Sequence, residues 1–379
     1  MQIMNIEKNP FLIYDYESPE YFCDRKKETE RLAASLLNGC NVTLMSPRRM
    51  GKTGLIKNVF HYLKQQDIAC FYVDIYATKS LQDFVEALGK EVIGKLDTPI
   101  QRAEGFVMQF FRSCKLTFSA DPVAMMPQVG LQLNPQDVRC TLDEIFAYIA
   151  QSGRTCCLAI DEFQQIADYD DASENNLEAL LRTYAQKIHN VHFIFSGSRQ
   201  HVMSVLFDSP RHPFYRSTER QHIGPLDEAV YHAFAQEKLQ QKSIVLPAEQ
   251  FHQIYSRVDG VTWYVQKILN HLYRLPPCTV SAQDVQGCMR DIILSEAEDY
   301  RRMLHLLTAN QANLLKAIAM NKTVSEPLSG AFVCQSRLKS SSSVQRAFEY
   351  LDREEYVYHA EEGCMVYDRF LAMWLRGEF

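Results

Sequence analysis

With 379 residues, 46% hydrophobic and 23% charged, the chain has an ordinary globular composition and enough length for two or three domains. A formal net charge of −6 excludes nucleic-acid binding through bulk positive charge, so any such binding needs a local basic patch. The 11 cysteines form no Cys-x-x-Cys pair and the 11 histidines have no metal-ligand spacing with them, which argues against structural zinc and for a reducing compartment. Met1 to Pro10 lack a signal-peptide core, and no run approaches the ~20 apolar residues of a membrane-spanning helix. A soluble cytoplasmic protein, without membrane contact, is therefore expected.

An irregular lead with Asn9-Pro10-Phe11 and Tyr21-Phe22-Cys23-Asp24-Arg25 precedes a helix in which Leu32, Leu36 and Leu37 share a face and Gly39 ends the run. Val42-Thr43-Leu44-Met45 reads as a short buried strand that enters a loop at Ser46, and Gly54 to Leu63 reads as a helix. Cys70 to Tyr76 is a second strand, followed by a helix from about Leu81 to Leu96. Leu116-Thr117-Phe118 and Val129 to Leu133 read as a hairpin insertion around Asp121-Pro122. Leu142 to Ile149 is helical. Cys156 to Ile160 is a third buried strand ending at Asp161-Glu162. A helix over Leu177 to Ile188 leads to a fourth strand, Val191 to Phe195, ending at Ser196-Gly197-Ser198. Alternating strands and helices predict an α/β fold with a parallel sheet covered by helices on both faces.

From Pro225 the pattern is helical only: Asp227 to Gln240, Ala248 to Val258, and a third run from Val261 past Trp263, Val265, Ile268 and Leu272, with Pro276-Pro277 as punctuation. From about Ala309 it changes again. A helix (Gln311 to Met320) and a Pro-interrupted segment precede Ser340 to Ser343, which sit where a helix N-cap belongs, with Val344, Phe348 and Leu351 sharing a face behind them. Two short aromatic strands surround Glu361-Glu362-Gly363.

The segment Ser46-Pro47-Arg48-Arg49-Met50-Gly51-Lys52-Thr53 fits G-x-x-x-x-G-K-S/T except at its first position, and lies between a predicted strand and a predicted helix. Glycine at Gly51 lets backbone N–H groups approach phosphate oxygens, and the helix beginning near Lys52 turns its positive end toward the same anion. Lys52 is expected on the β- and γ-phosphates and Thr53 on Mg²⁺. This predicts ATP with magnesium, bound by Ser46, Pro47, Arg48, Arg49, Met50, Gly51, Lys52, Thr53 and Gly54. Asp161, at the end of a buried strand, is the expected metal-side carboxylate, and Glu162 the general base or water-orienting group. Lys52, Asp161 and Glu162 are thus the candidate catalytic residues, and Thr53 and Asp161 the candidate magnesium ligands. Ser198 or Arg199 could read the γ-phosphate, although a Ser-Gly turn needs no function to exist. Arg48, Arg49, Arg211, Arg216 and Arg220 are candidates for phosphate or finger roles, each with a solvated-surface alternative. Asp74 reads as a sheet-end or capping residue.

Several segments resemble one family. Phe22 to Glu28 resembles the "F-x-x-R-x-x-E" element of AAA+-like P-loop ATPases of the STAND superfamily, and Ser46 to Thr53 resembles their phosphate loop. Ile160-Asp161-Glu162-Phe163-Gln164 resembles their "I-D-E-F-Q" strand end. Phe195 to Arg199, Gly260 to Gln266 and Val366 to Arg376 resemble further elements of the archaeal-type ATPase group, the MNS clade, in the right order along nearly the whole chain. The resemblance implies a P-loop NTPase core at 1–222 carrying the hairpin near 115–134, an all-α lid at 223–305 and a C-terminal winged helix at 306–379. It also implies adenine near Phe22 and Arg25. Thr262-Trp263 replaces the family's Pro-Tyr, a departure that weakens the case for nucleotide sensing there. Arg369 replaces a proline, a change expected to affect only the local turn.

DNA contact by the winged helix needs a basic recognition helix. Arg337, Lys339 and Arg346 are opposed by Glu349, Asp352, Glu354 and Glu355, and the wing carries Glu361 and Glu362, so local charge favours a protein partner or internal packing over DNA. Two functional readings stand: an ATPase driving a conformational cycle, and a nucleotide-gated scaffold or DNA-binding switch that hydrolyses only when a partner completes the site. Either reading implies a protein partner and is compatible with oligomerisation.

Overall fold

A computed structural model describes residues 8–97, 107, 110–120, 127–169, 176–335, 341–360 and 363–378. Asp121-Pro122, Arg337, Lys339, Ser340, Glu361 and Glu362 lie outside the described residues. Residues 14–231 form one compact unit, and residues 8–13 with 232–378 form another.

In the first unit α1 (Lys26–Leu37) precedes β1 (Val42–Met45), α2 (Lys52–Lys64), β2 (Ala69–Asp74) and α3 (Leu81–Val92). The strands β3 (Cys114–Ala120) and β4 (Pro127–Leu133) pair antiparallel. Then come α4 (Val138–Gln151), β5 (Cys156–Asp161), a 3-10 segment Phe163–Asp168, α5 (Leu177–Lys187), β6 (Val191–Gly197), α6 (Gln200–Asp208) and β7 (Glu219–His222).

The sheet runs β2-β5-β6-β1-β7 with every pair parallel. Each residue of β1 and β5 is buried, as helices on both sheet faces require, which is why both read as unbroken apolar runs. Phe71 and Val73 of β2, Leu158 and Ile160 of β5, and Phe193 and Phe195 of β6 share a core with Phe84, Leu88, Leu142 and Ile145 from the covering helices. The carboxyl ends of β1, β5 and β6 lie side by side, and ligands of open α/β sheets bind outside such strand ends. The edge strand β7 has no counterpart in the sequence reading. Glu219-Arg220-Gln221-His222 is polar, only Gln221 is buried, and the strand is held by backbone pairing to β1. A short, charged strand is what an edge position tolerates.

The helical part comprises α7 (Glu228–Gln240), α8 (Ala248–Arg257), α9 (Thr262–Leu272) and α10 (Ala282–Leu306). The 25-residue α10 goes beyond the three helices expected here; it starts at a capping box in which Ser281 and Asp284 satisfy each other's backbone N–H groups. The N-terminal lead is anchored to this unit. Asn9 donates to Asn270 O (2.9 Å), Asn270 returns a bond to Phe11 O (2.8 Å), and Phe11 is fully buried against Phe234 and Tyr273.

The C-terminal winged helix consists of α11 (Ala309–Asn321), α12 (Gly330–Gln335), α13 (Ser341–Arg353), the antiparallel pair β8 (Val357–Ala360) and β9 (Gly363–Val366), and α14 (Arg369–Arg376). Its last helix packs on the helical part, with Phe370 edge-on to Tyr264 (5.0 Å) and Trp374 against Tyr300 (5.6 Å). Trp263 serves this packing: its indole N–H donates to Ile13 O (3.0 Å) and its ring lies near Phe370. Arg369 does more than shape a turn. Only 7% exposed, it donates to Val366 O and the Tyr358 hydroxyl (both 2.7 Å) and faces Asp259 of the helical part at 2.7 Å. Its guanidinium thus ties the wing to the α8–α9 turn.

Candidate nucleotide-binding site

The loop leaving β1 turns through two left-handed residues, Arg49 (φ 68°) and Gly51 (φ 90°). No atom lies within 4 Å of where a Gly51 side chain would start, so the backbone angle rather than crowding demands glycine there. Lys52 opens α2 and is buried, its ammonium donating to Ser46 O (2.9 Å) and Pro47 O (3.1 Å). Phe22 lies over Gly54 so closely that an added Cβ would meet its ring at 3.2 Å, and Tyr16 stands edge-on to Phe22 at 5.8 Å. Arg25 is 3% exposed and binds Met50 O (3.1 Å), Gly224 O (2.7 Å) and the Glu28 carboxylate (2.9 Å), so its fork joins the phosphate loop to the segment after β7.

Thr53 Oγ1 donates to Asp161 Oδ2 at 2.9 Å. The same oxygen accepts the Tyr72 hydroxyl, and Oδ1 accepts the Glu162 N–H (3.0 Å). Burial, reinforced by the Asp161 charge, pushes the Tyr72 phenol far up, so it stays a neutral donor. Burial also raises Asp74 at the end of β2, and the charges of Asp161 and Glu162 act in the same sense against a bond from the Tyr76 N–H.

Glu162 adopts a left-handed conformation (φ 56°) that breaks the strand. Its Oε2 accepts bonds from Ser198 Oγ (2.7 Å) and from the Gln164 amide. Gln164 is 2% exposed; its Nε2 reaches Ser198 Oγ (3.3 Å) and its carbonyl takes the Ser198 N–H (3.3 Å). Arg48 lies over the Tyr76 ring and donates to Ser198 Oγ at 3.4 Å. Beneath these groups Phe163, Phe195, Phe207 and Phe214 form a buried aromatic cluster that fixes the ends of β5 and β6.

The structure thus gathers Ser46 to Gly54, Asp161, Glu162 and Ser198, with Phe22 and Arg25 against the loop. Arg199 turns instead to Asp168 (3.1 Å), and Arg220 pairs with Asp208. Arg216 lies over the Tyr215 ring, and Arg211 and Arg216 are exposed. Tyr72 and Gln164 were missed. Alternation along β2, which puts Tyr72 on the same face as Asp74, was the available signal for Tyr72.

A hydroxyl and a carboxylate 2.9 Å apart suit a hard cation. Among the described residues no three His, Cys, Asp or Glu side chains converge as a metal-ion cluster. That pairing fits magnesium, which keeps water and substrate phosphates as most of its ligands.

Residues 22–268 match a family described as an ATPase domain predominantly from Archaea. The chain belongs to this ATPase family. Residues 298–377 further match a probable winged helix domain. A Walker-type ATPase of Pyrococcus abyssi is similar in fold, at 18% identity and a TM-score of 0.64, over 97% of this chain and 99% of that one. The Aeropyrum pernix ORC2 protein, solved as ADPNP-ADP complexes, aligns at 14% identity and a TM-score of 0.58, over 98% and 96% of the two chains. The Aeropyrum pernix ORC1 protein, solved in complex with DNA, aligns at 12% identity and a TM-score of 0.52, over 95% and 94%. At these identities the likeness is one of fold. No curated protein matches the chain. Among its described residues no helix is long and apolar enough to cross a membrane.

Proposed function

We propose that this chain binds ATP with Mg²⁺ at Ser46 to Gly54 and hydrolyses it to ADP and phosphate, using the cycle as a conformational switch in the cytoplasm. The observation that carries the reading is the 2.9 Å bond between Thr53 Oγ1 and Asp161 Oδ2, which joins the loop to an acidic strand end 108 residues away. Lys52 would neutralise the β- and γ-phosphates, and Thr53 and Asp161 would hold the metal. Magnesium bound there supplies charge neutralisation on the phosphates. Glu162 would orient the attacking water and accept its proton. Phe22 would offer an apolar face to adenine, with Arg25 steadying the Met50 and Gly224 carbonyls beside it. The nucleotide complexes of the ORC2 relative support nucleotide binding. The motif order supports membership of the STAND superfamily's archaeal-type group.

One observation favours the second reading, a nucleotide-gated switch. Glu162 is already engaged by Ser198 and Gln164, so full activity would require a partner or a loop movement that frees it. That partner is proposed to be a protein. The exposed side of α13 mixes Arg346 and Arg353 with Glu349 and Asp352, a poor surface for phosphate. The DNA complex of the ORC1 relative makes duplex DNA the necessary control.

The test is phosphate release by the wild type, Lys52→Ala and Glu162→Gln, with and without duplex DNA. Lys52→Ala is expected to lose ATP binding, and Glu162→Gln to keep it while losing turnover. Normal turnover by Glu162→Gln would remove Glu162 from the chemistry. Tight ATP binding with turnover only on adding a partner would favour the gated reading.

A further inference from the structure

Tyr72 belongs to none of the segments that resemble the family, yet its hydroxyl ends on the carboxylate assigned to magnesium. We propose that Tyr72 is a positioning residue that clamps Asp161 Oδ2 against Thr53 and so sets the magnesium concentration the site requires. This rests on the reading of Thr53 and Asp161 as the metal side.

The placement follows from register. In the parallel pair β2–β5, Tyr72 stands opposite Ala159 and Asp74 opposite Asp161. Side chains two residues apart share a sheet face, so Tyr72 and Asp161 are diagonal neighbours. The small side chain of Ala159 leaves the phenol room to lean along the strand toward the carboxylate. Helix α2 covers the same face: Thr53 Oγ1 lies 3.5 Å from the Tyr72 hydroxyl, and Lys57, one turn on, lies over the ring at 5.4 Å.

Asp161 is consequently held at both oxygens: Oδ1 by the Glu162 N–H, and Oδ2 by two hydroxyl donors. At 4% exposure it has little access to water that could replace a lost donor. A carboxylate deprived of the phenol would keep one donor on Oδ2 and gain torsional freedom, so its lone pairs would no longer be presented to a metal in one orientation. Outer partners of metal-binding carboxylates typically change metal affinity 10- to 100-fold when removed.

The experiment uses the full chain and a non-hydrolysable ATP analogue. The free Mg²⁺ concentration giving half of the nucleotide-induced thermal stabilisation is measured for wild type, Tyr72→Phe and Lys57→Ala, alongside analogue binding in EDTA. Tyr72→Phe keeps the ring and its Lys57 contact, so it removes the hydroxyl alone. The expected result is an increase of about tenfold in the Mg²⁺ midpoint, with metal-free binding unchanged. Lys57→Ala is expected to leave the midpoint at the wild-type value. An unchanged midpoint in Tyr72→Phe would overturn the inference, as would a lowered melting temperature without a midpoint shift, or an equal shift in Lys57→Ala. Thr53→Ala and Asp161→Asn separate the two layers. Wild-type midpoints in both would sink the metal-side reading itself, whereas shifts in both with none in Tyr72→Phe would remove only the role of Tyr72.

Discussion

Gly197 closes β6 with a backbone that any residue could adopt, yet the site has no room for a side chain. An added Cβ would stand 2.5 Å from Gln164 Oε1, 2.5 Å from Met203 Sδ and 2.7 Å from Met203 Cγ, distances real Cβ atoms do not reach. Met203 is fully buried, and in a close-packed interior its side chain can withdraw only by displacing neighbours. Gln164 is pinned by its bonds to the Glu162 carboxylate and to Ser198. Overpacking of this kind costs about 1–3 kcal/mol, and loosening a hydrogen bond to a charged group costs about 1.5–3 kcal/mol. Because relaxation shares the two costs, Gly197→Ala is expected to destabilise the protein by about 2–4 kcal/mol. Urea unfolding should show it as a lowered midpoint at constant slope. ATP binding is expected to persist, since the new methyl meets Gln164 and Met203 rather than the phosphate loop. Phosphate release should fall about tenfold or more as Glu162 loses its orientation. The pair Gly197→Ala with Met203→Ala should show favourable coupling, because shortening Met203 removes one of the two clashes. A loss of stability below about 0.5 kcal/mol together with wild-type turnover would refute the reasoning, as it would show Gln164 free to move without consequence.

Arg25→Ala is expected to cost about 3 kcal/mol and to weaken nucleotide binding, because it leaves the Met50 and Gly224 carbonyls without their shared donor; calorimetry of binding and urea unfolding check both. Arg25→Lys should recover only part, since an ammonium cannot span the same three partners. Arg369→Ala is expected to lower stability by about 2 kcal/mol, with earlier unfolding of the winged helix in hydrogen exchange while the Mg²⁺ midpoint stays put. Ser281→Ala should cost about 1 kcal/mol by uncapping α10. Its partner Asp284 is held below the ordinary carboxylate value by the Ser281 side-chain bond and then by the Ser281 backbone bond. A depressed carboxylate stabilises above its unfolded value of 3.8 and loses that contribution as pH falls through the folded one, so the wild-type advantage over Ser281→Ala should shrink below about pH 4.

The local parts of the site were legible because they are written in contiguous residues. Gly51-Lys52-Thr53 needs a left-handed turn, a helix start and a hydroxyl at fixed spacing, and the run Cys156 to Asp161 announces a strand buried on both faces that ends in acid. The hairpin and the helical change after Pro225 were readable for the same reason, since each is a change of period along the chain. The edge strand β7 was not, because Glu219 to His222 carries no strand pattern and exists through its pairing with Val42 to Met45. Arg369 looked like a local change because its partner Asp259 lies 110 positions earlier.

By itself, then, the sequence determined the α/β class, the left-handed turn at Gly51 into α2 and the acidic strand end, all of which follow from short-range geometry and burial. Only the tertiary structure decided which groups meet there. Thr53 reaches Asp161 because β1 and β5 flank β6 in one sheet, Tyr72 reaches it because β2 pairs in that register, and Glu162 is held because β6 delivers Ser198 beside Gln164. Strand order and register are set by the packing of the whole core, and no short window of residues encodes them.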